Sequence, residues 1–197
     1  FLEKFANALG KNKSINSIDF IADRFNIEKC NFICQIISKN ERITHFGLSS
    51  NDFGHPLNDF GFQERHCEII STLLKQTKTL TSLNLEKNQI TTEGFEILST
   101  AFAQNKTLKK LYLGHNIMRK QGSISISQSL MSNNYLQELN LTKNGLKDEG
   151  CKIFSSLIQK NKTLKKLDLS NNLIGSKSCE FLSETLQENS TLQELNL

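Results

Sequence analysis

No apolar run in the 197-residue sequence approaches the roughly 20 residues that a membrane-spanning helix requires, and no secretory signal pattern opens the chain. Catalytic signatures are missing too. There is no G-x-x-x-x-G-K-[ST] phosphate loop, no Cys-x-x-Cys pair and no His-Glu-x-x-His metal motif. The four histidines, His45, His55, His66 and His115, share no spacing that would bring them to one metal, and each reads as polar surface. These gaps predict a chain without cofactor, metal, membrane segment or catalytic centre. Proline occurs once, at Pro56, and cysteine five times. An odd count without a secretory signal predicts a reduced, intracellular, cytoplasmic protein.

What is present is a phrase that returns. NKTLKKLYLGHN at 105–116 recurs as NKTLKKLDLSNN at 161–172, and NNYLQELNLTKN at 133–144 stands halfway between them. The period is therefore 28 residues. Leu80, Leu108, Leu136, Leu164 and Leu192 each open a segment L-x-x-L-x-L, and an Asn follows in four of them, at Asn88, Asn116, Asn144 and Asn172. Upstream the frame continues as Ile43-Phe46-Leu48-Asn51 and Ile15-Ile18-Phe20-Asp23, which makes seven turns.

Within L-x-L, apolar and polar residues alternate, so each segment reads as a short strand with one buried face. The middle residues, Asp19, Gly47, Asn84, Tyr112, Asn140, Asp168 and Asn196, then face water. Between strands the apolar residues change to helical spacing: Ile97, Leu98, Ala101 and Phe102 share one face, as do Ile69-Ile70-Leu73-Leu74, Ile153-Phe154-Leu157-Ile158 and Phe181-Leu182-Leu186. Strand–helix–strand crossovers require parallel strands. SISISQSL, residues 123–130, alternates like a strand, yet the frame predicts helix there, with Ile126 and Leu130 inward. The Asn column reads as architecture: an inward amide satisfies loop backbone groups that burial would otherwise orphan.

With 28-residue turns, L-x-x-L-x-L-x-x-N and Gly94, Gly122 and Gly150 near the helix starts, the chain resembles the ribonuclease-inhibitor type of leucine-rich repeat. The resemblance implies an α/β fold: a right-handed solenoid, with a parallel sheet on the concave side and helices on the convex side. It also implies a surface for protein partners. His66 and Ser178 depart from the glycine pattern.

The unbroken period predicts a single domain over 1–197 of about seven turns. The chain opens on Phe1, inside what reads as the helical half of a turn, and closes on a strand, LQELNL. The expectation is truncation at both ends of a longer repeat protein. Cys30, Cys67, Cys151 and Cys179 share one slot with Phe95 and Ser123, so they read as small hydrophobes. Cys34 occupies a slot that holds serine in other turns, and is the candidate accessible thiol.

The formal charge is +4 and the isoelectric point about 8.8. Down successive strands, however, one surface column reads Lys110, Glu138, Lys166, Glu194. Opposite charges about 4.8 Å apart cancel, which argues against nucleic acid. Lys109 and Lys165 lie outside that column as a modest basic rim. The candidate partner surface is therefore Tyr112 and Lys110 with the neighbouring Asn84, Glu86, Glu138, Asn140, Lys166 and Asp168. Tyr suits interfaces because it buries area and keeps a polar tip. A second candidate is a nine-residue insertion at 54–62, which holds His55, Pro56, Phe60 and Phe62.

The resulting expectation is a non-catalytic protein–protein interaction module or scaffold, part of a multi-protein complex in a ciliary or cytoskeletal setting. The resemblance leaves three alternatives open: a GTPase activator of the Ran-activating kind, the sensor end of a NOD-like receptor, or a bacterial effector.

Overall fold

The computed structural model describes residues 2–22, 26–51 and 62–197. The side chains of Leu2, Phe62 and Gln63 fall outside it, as does most of the 54–62 insertion with His55, Pro56 and Phe60. Helix and strand alternate strictly: α1 (Leu2–Lys11), β1 (Ser17–Asp19), α2 (Ile27–Lys39), β2 (His45–Gly47), α3 (Phe62–Gln76), β3 (Ser82–Asn84), α4 (Thr92–Gln104), β4 (Lys110–Tyr112), α5 (Arg119–Met131), β5 (Glu138–Asn140), α6 (Lys147–Lys160), β6 (Lys166–Asp168), α7 (Ser176–Glu188) and β7 (Glu194–Asn196).

The strands form one parallel sheet in sequence order, β1 to β7, with helices layered over its inner face. Register follows the repeat without slippage. Ser82, Lys110, Glu138, Lys166 and Glu194 stand side by side, as do Asn84, Tyr112, Asn140, Asp168 and Asn196. The ladder runs beyond the three-residue strands, since Gln137 N donates to Lys109 O and Leu113 N to Asn140 O. An apolar residue at each inward position, leucine from β3 onward, keeps this register, because a one-residue slip would expose all of them.

Leu83, Leu85, Leu111, Leu113, Leu139, Leu141, Leu167 and Leu169 are buried against Leu98, Ala101, Phe102, Phe154 and Leu157 from the helices. Leading residues of the helical sets are only partly buried: Ile69 and Ile97 pack at the margin of the core, and Ile153 is likewise half-buried. Residues 123–130 are helical within α5, with Ile126 and Leu130 buried. Packing thus overrides local alternation. One expected inward residue departs: Leu186 is 42% exposed, because α6 is the only helix packed against α7 among the described residues.

Two columns of asparagine hold the turns together. In the expected column, Asn116 donates from Nδ2 to Leu85 O at 3.0 Å and Leu113 O at 2.9 Å, and its Oδ1 accepts from Ile90 N at 2.9 Å. Asn172 repeats both halves of this arrangement, and Asn144 the donor half. A second column, unforeseen, lies at the opposite edge, where each helix ends. Asn105, Asn133, Asn161 and Asn189 donate to a carbonyl of the preceding turn (Asn133 to Phe102 O, 2.8 Å), and their Oδ1 atoms accept from the chain's next backbone amides. The NKT phrase is therefore a capping device, and Asn105, at 5% exposure, is closed to glycosylation.

Glycine near the helix starts has a packing cause. A Cβ on Gly94 would stand 2.8 Å from Ile90 Cγ2 and 2.9 Å from Cys67 Sγ, and one on Gly150 would stand 2.6 Å from Leu146 Cβ. The departures from this pattern are equally buried. His66 is fully enclosed, which corrects its reading as a surface histidine: its slot points inward. Ser178 is enclosed as well, and donates its hydroxyl to Asp148 at 2.5 Å.

Cys34 is buried, not accessible. It stands one helical turn from Cys30, which bonds it, and that bond together with burial pushes its pKa well up. The exposed thiol is Cys179, whose outer flank no further helix covers among the described residues.

Candidate functional site

The outward face of the sheet carries the predicted surface residues, and the register brings them together on β3 to β6. Lys110 and Glu138 are direct cross-strand partners, with Lys110 Nζ 3.3 Å from Glu138 Oε2. Tyr112, two residues along β4, donates its hydroxyl to the other carboxylate oxygen, Glu138 Oε1, at 2.9 Å. One carboxylate thus anchors a cation and a phenol. Partial burial first, then the bond to Glu138 and the charges of Glu138 and Glu86, push the Tyr112 pKa up to about 12. The phenol therefore remains a donor at neutral pH. Lys166 and Glu194 repeat the ion pair two strands on, at 2.7 Å. Their mutual bond raises the lysine pKa and lowers that of the glutamate.

The middle column serves the backbone as well as the surface. Asn84, Asn140 and Asp168 each accept, through Oδ1, the amide two residues ahead, on Glu86, Thr142 and Ser170, all at 2.9 Å. These are Asx turns that close the strand ends. Burial works to raise the Asp168 pKa, but bonds from Ser170, Thr142 and Asn196 prevail and hold it below the ordinary value. Tyr112 cannot make such a turn. Two residues on, Gly114 leaves the space into which Glu86 Oε1 and Asn140 Oδ1 lean, each 2.9 Å from where a Cβ would be. Tyr112 is thereby framed by Asn84, Glu86, Glu138 and Asn140, as the sequence placed them.

Gly47 differs from its column. It is buried, because the Asp19 side chain of β1 occupies the space beside it. The second candidate, His55, Pro56, Phe60 and Phe62, lies outside the described side chains. Reasoning from sequence missed Tyr135, a 45% exposed aromatic on the edge before β5. Its signal is its slot, which holds threonine in four other turns, at Thr79, Thr107, Thr163 and Thr191.

Among the described residues, no three His, Cys, Asp or Glu side chains stand close enough to hold a metal ion, and no helix is long and apolar enough to cross a membrane. What remains on the strand face is recognition chemistry: one half-buried phenol, two cross-strand ion pairs, and a row of amides, carboxylates and hydroxyls.

Comparison with known proteins agrees with this architecture. The family model described as Leucine Rich repeat matches residues 77–98, 132–154 and 160–183, each a strand with adjoining helix. No curated protein matches significantly by sequence. Among solved structures, leiomodin-1 actin-binding site 2 superposes with a TM-score of 0.57 at 17% identity, over 82% of this chain and 87% of that one. The tropomodulin C-terminal domain of Caenorhabditis elegans gives 0.58 at 12% identity, over 95% and 92%. TLR13, from its complex with ssRNA13, gives 0.60 at 22% identity, over 95% of this chain and 23% of that one. At these identities the likeness is one of fold.

Proposed function

The chain is built of leucine-rich repeats stacked into an α/β arc, and on that premise we propose that it is a non-catalytic protein-interaction module whose partner docks on the strand face around Tyr112. The observation that carries this reading is the shared Glu138 carboxylate. It holds Tyr112 and Lys110 in fixed positions on an otherwise polar, solvent-facing sheet. A preorganised aromatic with a polar tip loses little entropy on docking, which is where interface energy concentrates.

The proposed setting is cytoskeletal. Two of the solved structures that share the fold over most of their length are leiomodin-1 actin-binding site 2 and a tropomodulin domain, which supports testing actin first. The test is co-sedimentation with actin filaments, alongside affinity capture using wild type and the Tyr112→Ala/Asp168→Lys variant. Capture of a protein partner by wild type, lost in the folded variant, is the expected result. A partner retained in full by the variant overturns the strand-face assignment, and absence of actin from the captured material overturns the cytoskeletal one. A GTP-hydrolysis assay with small GTPases is expected to leave the intrinsic rate unchanged.

A further inference from the structure

The edge of the arc where helices end and strands begin carries a charge bias that the strand face lacks. Seven short segments make this edge, each running from the last residue of a helix to the residue before the next strand. Together they hold ten Lys or Arg side chains and two acidic ones, Glu41 and Glu188. The whole chain has 24 basic and 20 acidic residues, so outside this edge acids outnumber bases. The bias is regional, and the modest overall charge hides it.

These cations are exposed, and among the described residues none is paired with a carboxylate in a salt bridge, although Arg42 donates to Lys13 O and Lys162 to Gln159 O, each at 3.1 Å. The salt bridges among the described residues join Lys110, Lys120 and Lys166 to glutamates, and none involves the edge. Part of the bias serves the helices, whose carbonyl ends favour nearby positive charge. That role is confined to the last helical turn. Lys162, just past α6, reaches back in the same way through its bond to Gln159 O; the role does not account for Lys78, Lys106, Lys109 and Lys165, which lie beyond the helix ends. The edge also has shape. Between the ends of α3 and α4 runs an open groove of about 380 Å³, floored by Leu74 and Thr107 and flanked by Lys75, Lys78 and Lys106. A similar groove of about 410 Å³ lies between α1 and α2, beside Lys39 and Arg42.

We propose that this edge, centred on the Lys75–Lys78–Lys106 groove, docks an acidic polypeptide segment of a partner. The proposal rests on the reading of the chain as a protein-binding module, and adds a second surface with its own chemistry. Adjacent turns here are separated by about 5–10 Å, between the strand and helix spacings. An extended chain advances about 3.3 Å per residue, so acids at every second or third position meet successive turns. Nine of the ten cations are lysines, with Arg42 the exception. Lysine offers a hydrated point charge, not the bidentate fork suited to phosphate. The fifth segment, with Asn134, Tyr135 and Gln137, carries no charge and breaks the basic track that a nucleic-acid backbone would follow. A bilayer would touch only the crests and leave the grooves empty, whereas glutamate side chains enter them.

The test is fluorescence anisotropy with a labelled 20-residue Glu-rich peptide, titrated with wild type at low salt and again at high salt. The comparison is Lys78→Glu/Lys106→Glu/Lys109→Glu, with Lys152→Glu/Lys177→Glu on the helix face as control. We expect binding that weakens about tenfold or more in the edge variant and with added salt, and holds in the control. No binding by wild type, or equal loss in the control, overturns the proposal. So does tighter binding of a single-stranded RNA oligonucleotide, or of phosphatidylserine vesicles, in parallel titrations. If the edge variant does not fold by circular dichroism, the salt dependence of wild type and the parallel probes decide. Partner capture through Tyr112 is read separately, so failure here leaves the strand-face reading standing.

Discussion

Tyr112 donates its hydroxyl to Glu138 at 2.9 Å, diagonally across the β4–β5 ladder, while Lys110 holds the opposite carboxylate oxygen. The neutral phenol is thereby favoured in the folded chain, and its pKa is pushed up to about 12 against an ordinary value near 10. The sign follows from linkage. A pKa raised by folding contributes stability below about pH 10, and that stability drains away as pH rises toward about 12. Ultraviolet titration is expected to show a phenolate component near 12 in wild type that is missing in Tyr112→Phe. In the same variant, thermal stability between those pH values is expected to fall less steeply. A wild-type curve lacking that late component removes the anchored phenol.

Asn116 joins its own turn to the preceding one, donating to Leu113 O and Leu85 O and accepting from Asn88 N and Ile90 N. Asn116→Ala leaves the buried backbone groups of the preceding turn unpaired. Orphaned groups of this kind cost about 1–3 kcal/mol each, against about 1 kcal/mol for an ordinary hydrogen bond. Urea unfolding is expected to show a loss of at least about 2 kcal/mol. Gln128→Ala, solvent-exposed on the outer side of α5, supplies the contrast, with an expected change within about 0.5 kcal/mol.

The thiols separate by burial. Cys30, Cys34, Cys67 and Cys151 are enclosed, and Cys179 is exposed. Burial, with nearby acidic groups adding to it, pushes Cys67 up to about 12, so it stays protonated and unreactive at neutral pH. A thiol-reactive chromophore is expected to label one cysteine quickly in native protein and all five after denaturation. Cys179→Ser is expected to abolish the fast phase. A fast phase that survives this change would mean that a buried slot opens readily.

How much of this was legible in the chain depends on what the repeat averages over. Leucines and Asn116-type asparagines recur because each turn buries the same groups, so the period, the parallel register and the Lys110–Glu138 pairing could be read directly. Cys34 and His66 misled because slot composition was weighed by polarity, whereas their burial follows from the orientation of the helix face. The Asx turns of Asn84, Asn140 and Asp168 also escaped notice. A residue that both faces solvent and bonds its own backbone shows the same letter for either role. The capping role of Asn105 was hidden in a phrase that resembles a glycosylation site. The edge bias was visible only as Lys109 and Lys165 until helix ends were located.

Leu173 is 77% exposed and sits at φ 57°, a left-handed conformation that strains a leucine. One repeat earlier the same position is Gly145, at φ 70°. Leu173→Gly removes a side chain that buries little, and relieves backbone strain of about 1–2 kcal/mol. Against this stands the extra entropy of glycine in the unfolded chain, about 0.5–1 kcal/mol. The net expectation is a small stabilisation, read as a raised urea midpoint with unchanged slope. A lowered midpoint would show that Leu173 packs more usefully than its exposure implies.

Asp148 supplies a clasp between the last two turns. From α6 it reaches to α7, accepting from Ser178 Oγ at 2.5 Å and from Gly175 N at 2.8 Å, where α7 has no side-chain cap of its own. The Ser178 bond first, then the Gly175 amide and the charge of Lys177, hold its pKa below the ordinary aspartate value. A depressed pKa means that the clasp contributes stability above the unfolded value of about 3.9 and loses it as pH falls through the folded one. Asp148→Asn keeps an acceptor oxygen but not the charge, so it is expected to melt earlier than wild type at neutral pH. The two curves should converge as acid protonates Asp148. Ser178→Ala removes the largest contribution, and is expected to move the Asp148 carboxyl resonance back toward ordinary titration in a pH series by NMR. If Asp148→Asn and wild type differ by the same amount across the whole acid range, the charge has no part in joining α6 to α7, and shape alone seats the final turn.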